Sequence, residues 1–109
     1  MWTIKKDSVV IELDNDGYSK SFNLTADQLE LLVEQLAEEF RVKEIGDFHW
    51  RVINFIRTYY SENGGLAPQI RIICKELKTS MKELRRRFGD PCIAPYKMAA
   101  LPQNVRRKR

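Results

Sequence analysis

The chain has 109 residues, 43% of them apolar and 31% charged, and a net charge of +4. That length supports one domain around a single core, and the composition excludes a disordered chain. No apolar run approaches the roughly 20 residues of a membrane span, no signal-peptide pattern opens the chain, and two cysteines, Cys74 and Cys92, make no secreted disulfide framework, so a reducing cytoplasm is expected.

The first pattern is an alternation. Val9, Ile11 and Leu13 fall on one side of an extended segment, Asp14-Asn15-Asp16-Gly17 supplies turn residues, and Tyr18, Lys20 and Phe22 alternate again. This predicts a β-hairpin of Val9–Leu13 with Tyr18–Phe22, its apolar face lying on helices. Thr25 stands three residues before Gln28, the spacing of a capping box, with Leu24 and Leu29 placed as a hydrophobic staple. Leu29, Leu32, Val33, Leu36 and Phe40 then repeat at helical spacing, while Asp27, Glu30, Glu34, Glu38 and Glu39 face elsewhere. The first helix therefore has an acidic outer face and ends near Arg41.

Asp47 is the expected N-cap of a second helix that runs to the Gly64-Gly65 stop. Its broad apolar stripe, including Phe48, Val52, Phe55, Ile56 and Tyr59, predicts a central position. His49, the single histidine, has no ligand partner at metal spacing and reads as a packing or surface residue. Pro68 is placed for the first turn of a third helix whose buried side is Ile70, Ile73, Cys74 and Leu77. Lys78-Thr79 makes a tight connection. Ser80 caps a fourth helix, with Glu83 completing a second capping box. In that helix Met81, Leu84 and Phe88 are expected inside and Lys82, Arg85, Arg86 and Arg87 mostly outside. Gly89-Asp90 ends it, and a last helical segment is expected from Pro91 to Leu101. The predicted class is α+β and mostly α: a small N-terminal β-hairpin packed on about five helices, one domain over 1–104 and a basic tail over 105–109.

Charge divides the chain. Residues 1–66 hold 7 Lys and Arg against 12 Asp and Glu, and residues 67–109 hold 12 against 3. The basic half suits an acidic partner; equally, the two halves can neutralise each other when packed. The segment Ile72 to Phe88 has helix-turn-helix spacing, which places Lys78, Ser80, Lys82, Arg85 and Arg86 on an exposed face. Duplex DNA binding and a solvated helical corner both fit that pattern. Arg106, Arg107, Lys108 and Arg109 would add contacts from the tail. No phosphate loop, metal-ligand spacing or catalytic pair is present in the sequence, so no cofactor, metal or small-molecule substrate is expected.

The run His49-Trp50-Arg51-Val52-Ile53-Asn54-Phe55-Ile56-Arg57-Thr58-Tyr59-Tyr60 resembles the HWEVINFLREYY-type segment of the DsrC/TusE family. Ala67-Pro68-Gln69-Ile70-Arg71 is similar to its APAIR block, Arg87-Phe88-Gly89-Asp90-Pro91 to its LFPGGP block, and Lys97-Met98-Ala99-Ala100-Leu101-Pro102 to its KIAGLP block. The Asp16-Gly17-Tyr18 hairpin also fits. The resemblance implies small sulfur-trafficking proteins, linked to dissimilatory sulfite reductase or tRNA thiolation, with a hairpin on a helical bundle and a mobile C-terminal arm. It further implies a sulfur-carrying cysteine on the arm and, in some members, a second before the KIAGLP-like block. By count those positions fall near Arg107 and on Tyr96, and neither is a thiol. The resemblance therefore points to a regulatory or partner-binding protein of a sulfur pathway rather than a carrier. Cys92, four residues before Tyr96 and near an expected helix start, is the alternative sulfur site; Cys74 reads as core.

Overall fold

The computed structural model describes residues 3–102 and the backbone of 2, 107 and 108. It begins with β1 (Trp2–Lys6) and β2 (Val9–Leu13), an antiparallel pair in which Ile4 opposes Ile11. Asp7-Ser8 closes the turn, with Asp7 at φ +55, a left-handed conformation that aspartate tolerates better than most residues. The hairpin is thus present, but the partner of Val9–Leu13 is Trp2–Lys6 rather than Tyr18–Phe22. The Asp14–Gly17 turn forms as its residues require: the Asp14 carboxylate accepts from the amides of Asp16 and Tyr18, each at 2.9 Å. Beyond it the chain makes only one bridge, Leu13 to Ser19, before it leaves.

Helix α1 (Ala26–Glu39) starts as its sequence dictates. The Thr25 hydroxyl accepts from the Gln28 amide at 3.1 Å, and the Gln28 side chain accepts from the Thr25 amide at 2.9 Å. Leu31, Leu32, Val33, Leu36 and Ala37 are buried. Helix α2 (Asp47–Glu62) is capped by Gly46, one residue earlier than expected. Its cap is completed by His49, whose Nδ1 accepts from the Gly46 amide at 3.1 Å. That bond fixes the tautomer, so Nε2 donates to the Arg87 carbonyl at 2.7 Å. His49 is accordingly a buried packing residue that joins the start of α2 to the end of the fourth helix.

Next come β3 (Ala67–Pro68), α3 (Ile70–Leu77), α4 (Met81–Phe88), α5 (Ala94–Met98) and β4 (Arg107–Lys108). Pro68 lies in β3, two residues before α3, and is not in the helix. Met81 is exposed, contrary to its expected place inside, whereas Leu84 and Phe88 are fully buried. Helix α5 is shorter than the expected Pro91–Leu101, because Asp90 first organises a turn: its carboxylate accepts from the amides of Cys92 and Ile93. The centre of the molecule is not α2 alone. Ala94–Leu101 is buried throughout, and α5 lies against both α1 and α2.

Lys78 caps α3 in the left-handed conformation, with φ +53 and ψ +51, where glycine is the usual residue. It is exposed, so relief of that backbone has no packing cost. Lys78→Gly is expected to stabilise the fold by about 1 kcal/mol, read as a higher midpoint in thermal melting.

Candidate functional site

Two remote stretches meet at β3. Its backbone pairs in parallel with β4, Ala67 opposite Arg107 and Pro68 opposite Lys108. From beneath, the hydroxyl of buried Tyr96 donates to the Pro68 carbonyl at 2.7 Å. Position 96 and positions 107–108 are therefore brought to the same two residues, although Arg107 lies 11 positions after Tyr96 in the chain. No pattern in the sequence signals this meeting, because it depends on a tertiary approach across 28 residues.

The segment that leads from α5 toward β4 is held at its root. On α2, Arg57 donates from Nη1 to the Ala99 carbonyl at 2.8 Å and from Nη2 to the Phe22 carbonyl at 3.0 Å. Its guanidinium also lies 4.1 Å from the centre of the Phe22 ring. Burial lowers the Arg57 pKa from its usual value. Ala100, standing where the KIAGLP-like block has glycine, is fully buried with φ +62. Lys97 is buried as well, its amine 3.5 Å from the Glu39 carboxylate and near the faces of Tyr18 and Phe40. The space above Gly17 is closed by that amine, 3.0 Å from where a Cβ would stand. Arg57 and Lys97 both escaped the sequence reading, since a charged residue in an apolar neighbourhood reveals its partners only in three dimensions.

Cys92 is exposed on the turn before α5, outside the helix whose start was expected to activate it. Cys74 is half-buried against the core, and burial raises its thiol pKa. A raised pKa disfavours the thiolate that sulfur chemistry needs.

Helices α3 and α4 follow one another across Lys78–Ser80 and touch, and several polar groups there already have local partners. Ser80 uses its hydroxyl to accept from the Glu83 amide at 3.1 Å. The Glu83 carboxylate does not close a second capping box; it takes both Arg86, at 2.7 Å, and Arg87, at 2.9 Å. Those hydrogen bonds lower the Glu83 pKa to about 2 from its ordinary 4.5. Lys78, Lys82 and Arg85 are exposed. Of the basic tail, Arg107 and Lys108 are described in backbone only, and Arg106 and Arg109 lie outside the described residues. The Glu83 shift has a definite sign. Its contribution is complete above pH 4.5 and declines as pH falls toward about 2. Acid unfolding of the Glu83→Gln variant should therefore lack part of the pH dependence of the parent between those values.

A family model described as DsrC-like protein matches residues 5–105. The chain is 33% identical over 93 residues to the gamma subunit of dissimilatory-type sulfite reductase from Nitratidesulfovibrio vulgaris, covering 84% of this chain and 85% of that one. It is 31% identical over 105 residues to the sulfurtransferase TusE of Yersinia pseudotuberculosis, covering 89% and 93%. Among solved structures, the crystal structure of dissimilatory sulfite reductase I (DsrI) superposes with a TM-score of 0.81 at 26% identity, over 93% of this chain and 94% of that one. The NMR structure of Allochromatium vinosum DsrC gives 0.75 at 29% identity, over 92% of each.

Proposed function

This chain belongs to the DsrC-like family of sulfur-metabolism proteins, and we propose that it acts there as a regulatory or partner-binding module that carries no sulfur. The observation behind this reading is chemical. Sulfur loading requires a cysteine thiolate to attack the outer sulfur of a donor persulfide; a new S–S bond forms, and the donor leaves as its own thiolate. By count, the family's arm and second cysteines correspond to positions near Arg107 and at Tyr96. Neither side chain can form the bond. The hydroxyl of Tyr96 is instead committed to the Pro68 carbonyl.

Binding is assigned to the basic half of the chain, with Lys82, Arg85 and Arg86 on α4 and the tail cations Arg106, Arg107, Lys108 and Arg109 meeting an acidic surface on a protein partner. Duplex DNA is the less favoured ligand, because Ser80, the residue placed to reach a base edge at the start of α4, is spent on its helix cap. A salt titration separates the two: duplex binding by phosphate contacts would weaken with a slope of roughly 0.9 per phosphate in log K against log salt.

The exposure of Cys92 supports one second reading, sulfur transfer through that thiol. Mass spectrometry after incubation with a small-molecule persulfide decides between them. The parent chain is expected to gain no sulfur, and Arg107→Cys to gain one atom at residue 107. A gain on Cys92 that disappears in Cys92→Ser would replace the non-carrier reading with the second one.

A further inference from the structure

We infer that the cleft between the α1–α2 connection and the last turn of α4 binds a short acidic segment of a partner protein, through Arg41, Lys43 and Arg87. This rests on the partner-binding reading above and extends its α4 surface to Arg41 and Lys43, two cations of the otherwise acidic half. The cleft is lined by Arg41, Lys43, Glu44, His49, Arg86 and Arg87, among others.

The first observation is backbone strain at an exposed cation. Arg41 follows the C-cap of α1, Phe40, and lies in the left-handed region at φ +59. The Arg41 amide donates to the Glu38 carbonyl and the Val42 amide to the Ala37 carbonyl at 2.7 Å, an arrangement in which glycine or asparagine is the ordinary choice. An arginine there spends stability on a side chain that is exposed and, among the described residues, makes no ion pair. Strain of this kind is a reason to look for function at the strained residue. Lys43 is likewise exposed and without an ion pair among the described residues.

The second observation is that the opposite wall is preset. Glu83 holds the Arg87 Nε at 2.9 Å, which fixes the direction of the guanidinium and leaves its other nitrogens available to a carboxylate. The wall is pinned to the floor by His49 through the Arg87 carbonyl. The two helix ends touch where the Phe40 carbonyl abuts Gly89.

The charge pattern selects the ligand class. Four cations face the cleft against one carboxylate, Glu44, but Glu38 and Glu39 stand exposed at the adjoining end of α1. A long polyanion would run into that acidic face, whereas a short carboxylate-bearing segment stays among the cations. Phe48 is half-buried beneath Arg87 and presents no open platform for stacking a base.

The test uses the full chain and a fluorescein-labelled hexaglutamate probe at low salt, followed by anisotropy. The double variant Arg41→Gly/Lys43→Gln should weaken binding roughly five- to tenfold. A control of equal charge loss on other surfaces, Lys20→Gln/Lys75→Gln, should change it less than about twofold. Arg41→Gly alone should also melt at a higher temperature than the parent, as expected when a left-handed backbone is relieved. Equal weakening in both double variants, no binding by the parent, or tighter cleft-dependent binding of a duplex oligonucleotide would each overturn the inference. The outcome is separate from the sulfur-loading result: a loaded Cys92 ends the non-carrier reading and leaves the cleft measurement intact.

Discussion

Gly89→Ala is expected to be among the most damaging single substitutions in this chain. Gly89 has φ +79 and ψ −61, a region close to the strained γ-turn that L side chains avoid. A Cβ built there would lie 2.8 Å from the Phe40 carbonyl oxygen, and that oxygen is main chain, so no side-chain rotation can make room. Backbone strain of about 1–2 kcal/mol and an overpacking term of about 1–3 kcal/mol together predict a loss of roughly 2–5 kcal/mol. For a domain of this size the thermal midpoint should fall by at least about 10 °C. The contact joins the C-terminal ends of α1 and α4, so loosening it should also increase exchange of the amides around Arg41. A variant that melts within a degree or two of the parent would show that α1 and α4 do not close on each other at Gly89.

Arg57→Met is the second large effect. The substitution keeps most of the apolar stem but removes two charged hydrogen bonds, to Ala99 and to Phe22, and the contact over the Phe22 ring. Ala99 is fully buried, so its carbonyl has little water to turn to. Bonds to charged groups contribute about 1.5–3 kcal/mol each, but Phe22 is only half-buried, and a net loss of about 2–4 kcal/mol is expected. Urea unfolding should show a lower midpoint with an unchanged slope. Arg57→Lys should recover only a minor part, because the two carbonyls are met by two separate nitrogens of the guanidinium, and a lysine offers one nitrogen on a shorter side chain. Full recovery by lysine would mean that charge alone matters at this position.

Local chemistry made much of the fold legible. Thr25 with Gln28, Ser80 ahead of α4, the Gly64-Gly65 stop and the helical stripes each determine structure within a few residues, and each appears where the sequence places it. The hairpin shows the limit of that reasoning. Asp14–Gly17 is the stronger turn by composition, but Asp7-Ser8 forms the paired hairpin, because Ile4 opposite Ile11 keeps apolar residues over α1. Met81 fits the inward spacing of α4, but an eight-residue helix at a corner buries only the side that reaches Leu84 and Phe88. The site was less visible still. Tyr96 and Arg107 could be singled out only by resemblance, and their meeting at β3 involves a hydroxyl, a proline carbonyl and a strand pair far apart in sequence. Arg41 looked like an ordinary helix end until its backbone angle was known.

The pairing of Ala67–Pro68 with Arg107–Lys108 has an evolutionary consequence. Strand pairing is made by amides and carbonyls that every residue other than proline carries, so the pairing at 107–108 places little demand on which side chain stands at 107. On the proposed non-carrier reading, exchange of a thiol for another side chain at 107 removes loading and leaves that backbone pairing as it is. A receptor that inspects only the backbone's silhouette would accept an empty-handed visitor, and the abundance of such a chain would then set how many receptors stay open to loaded ones.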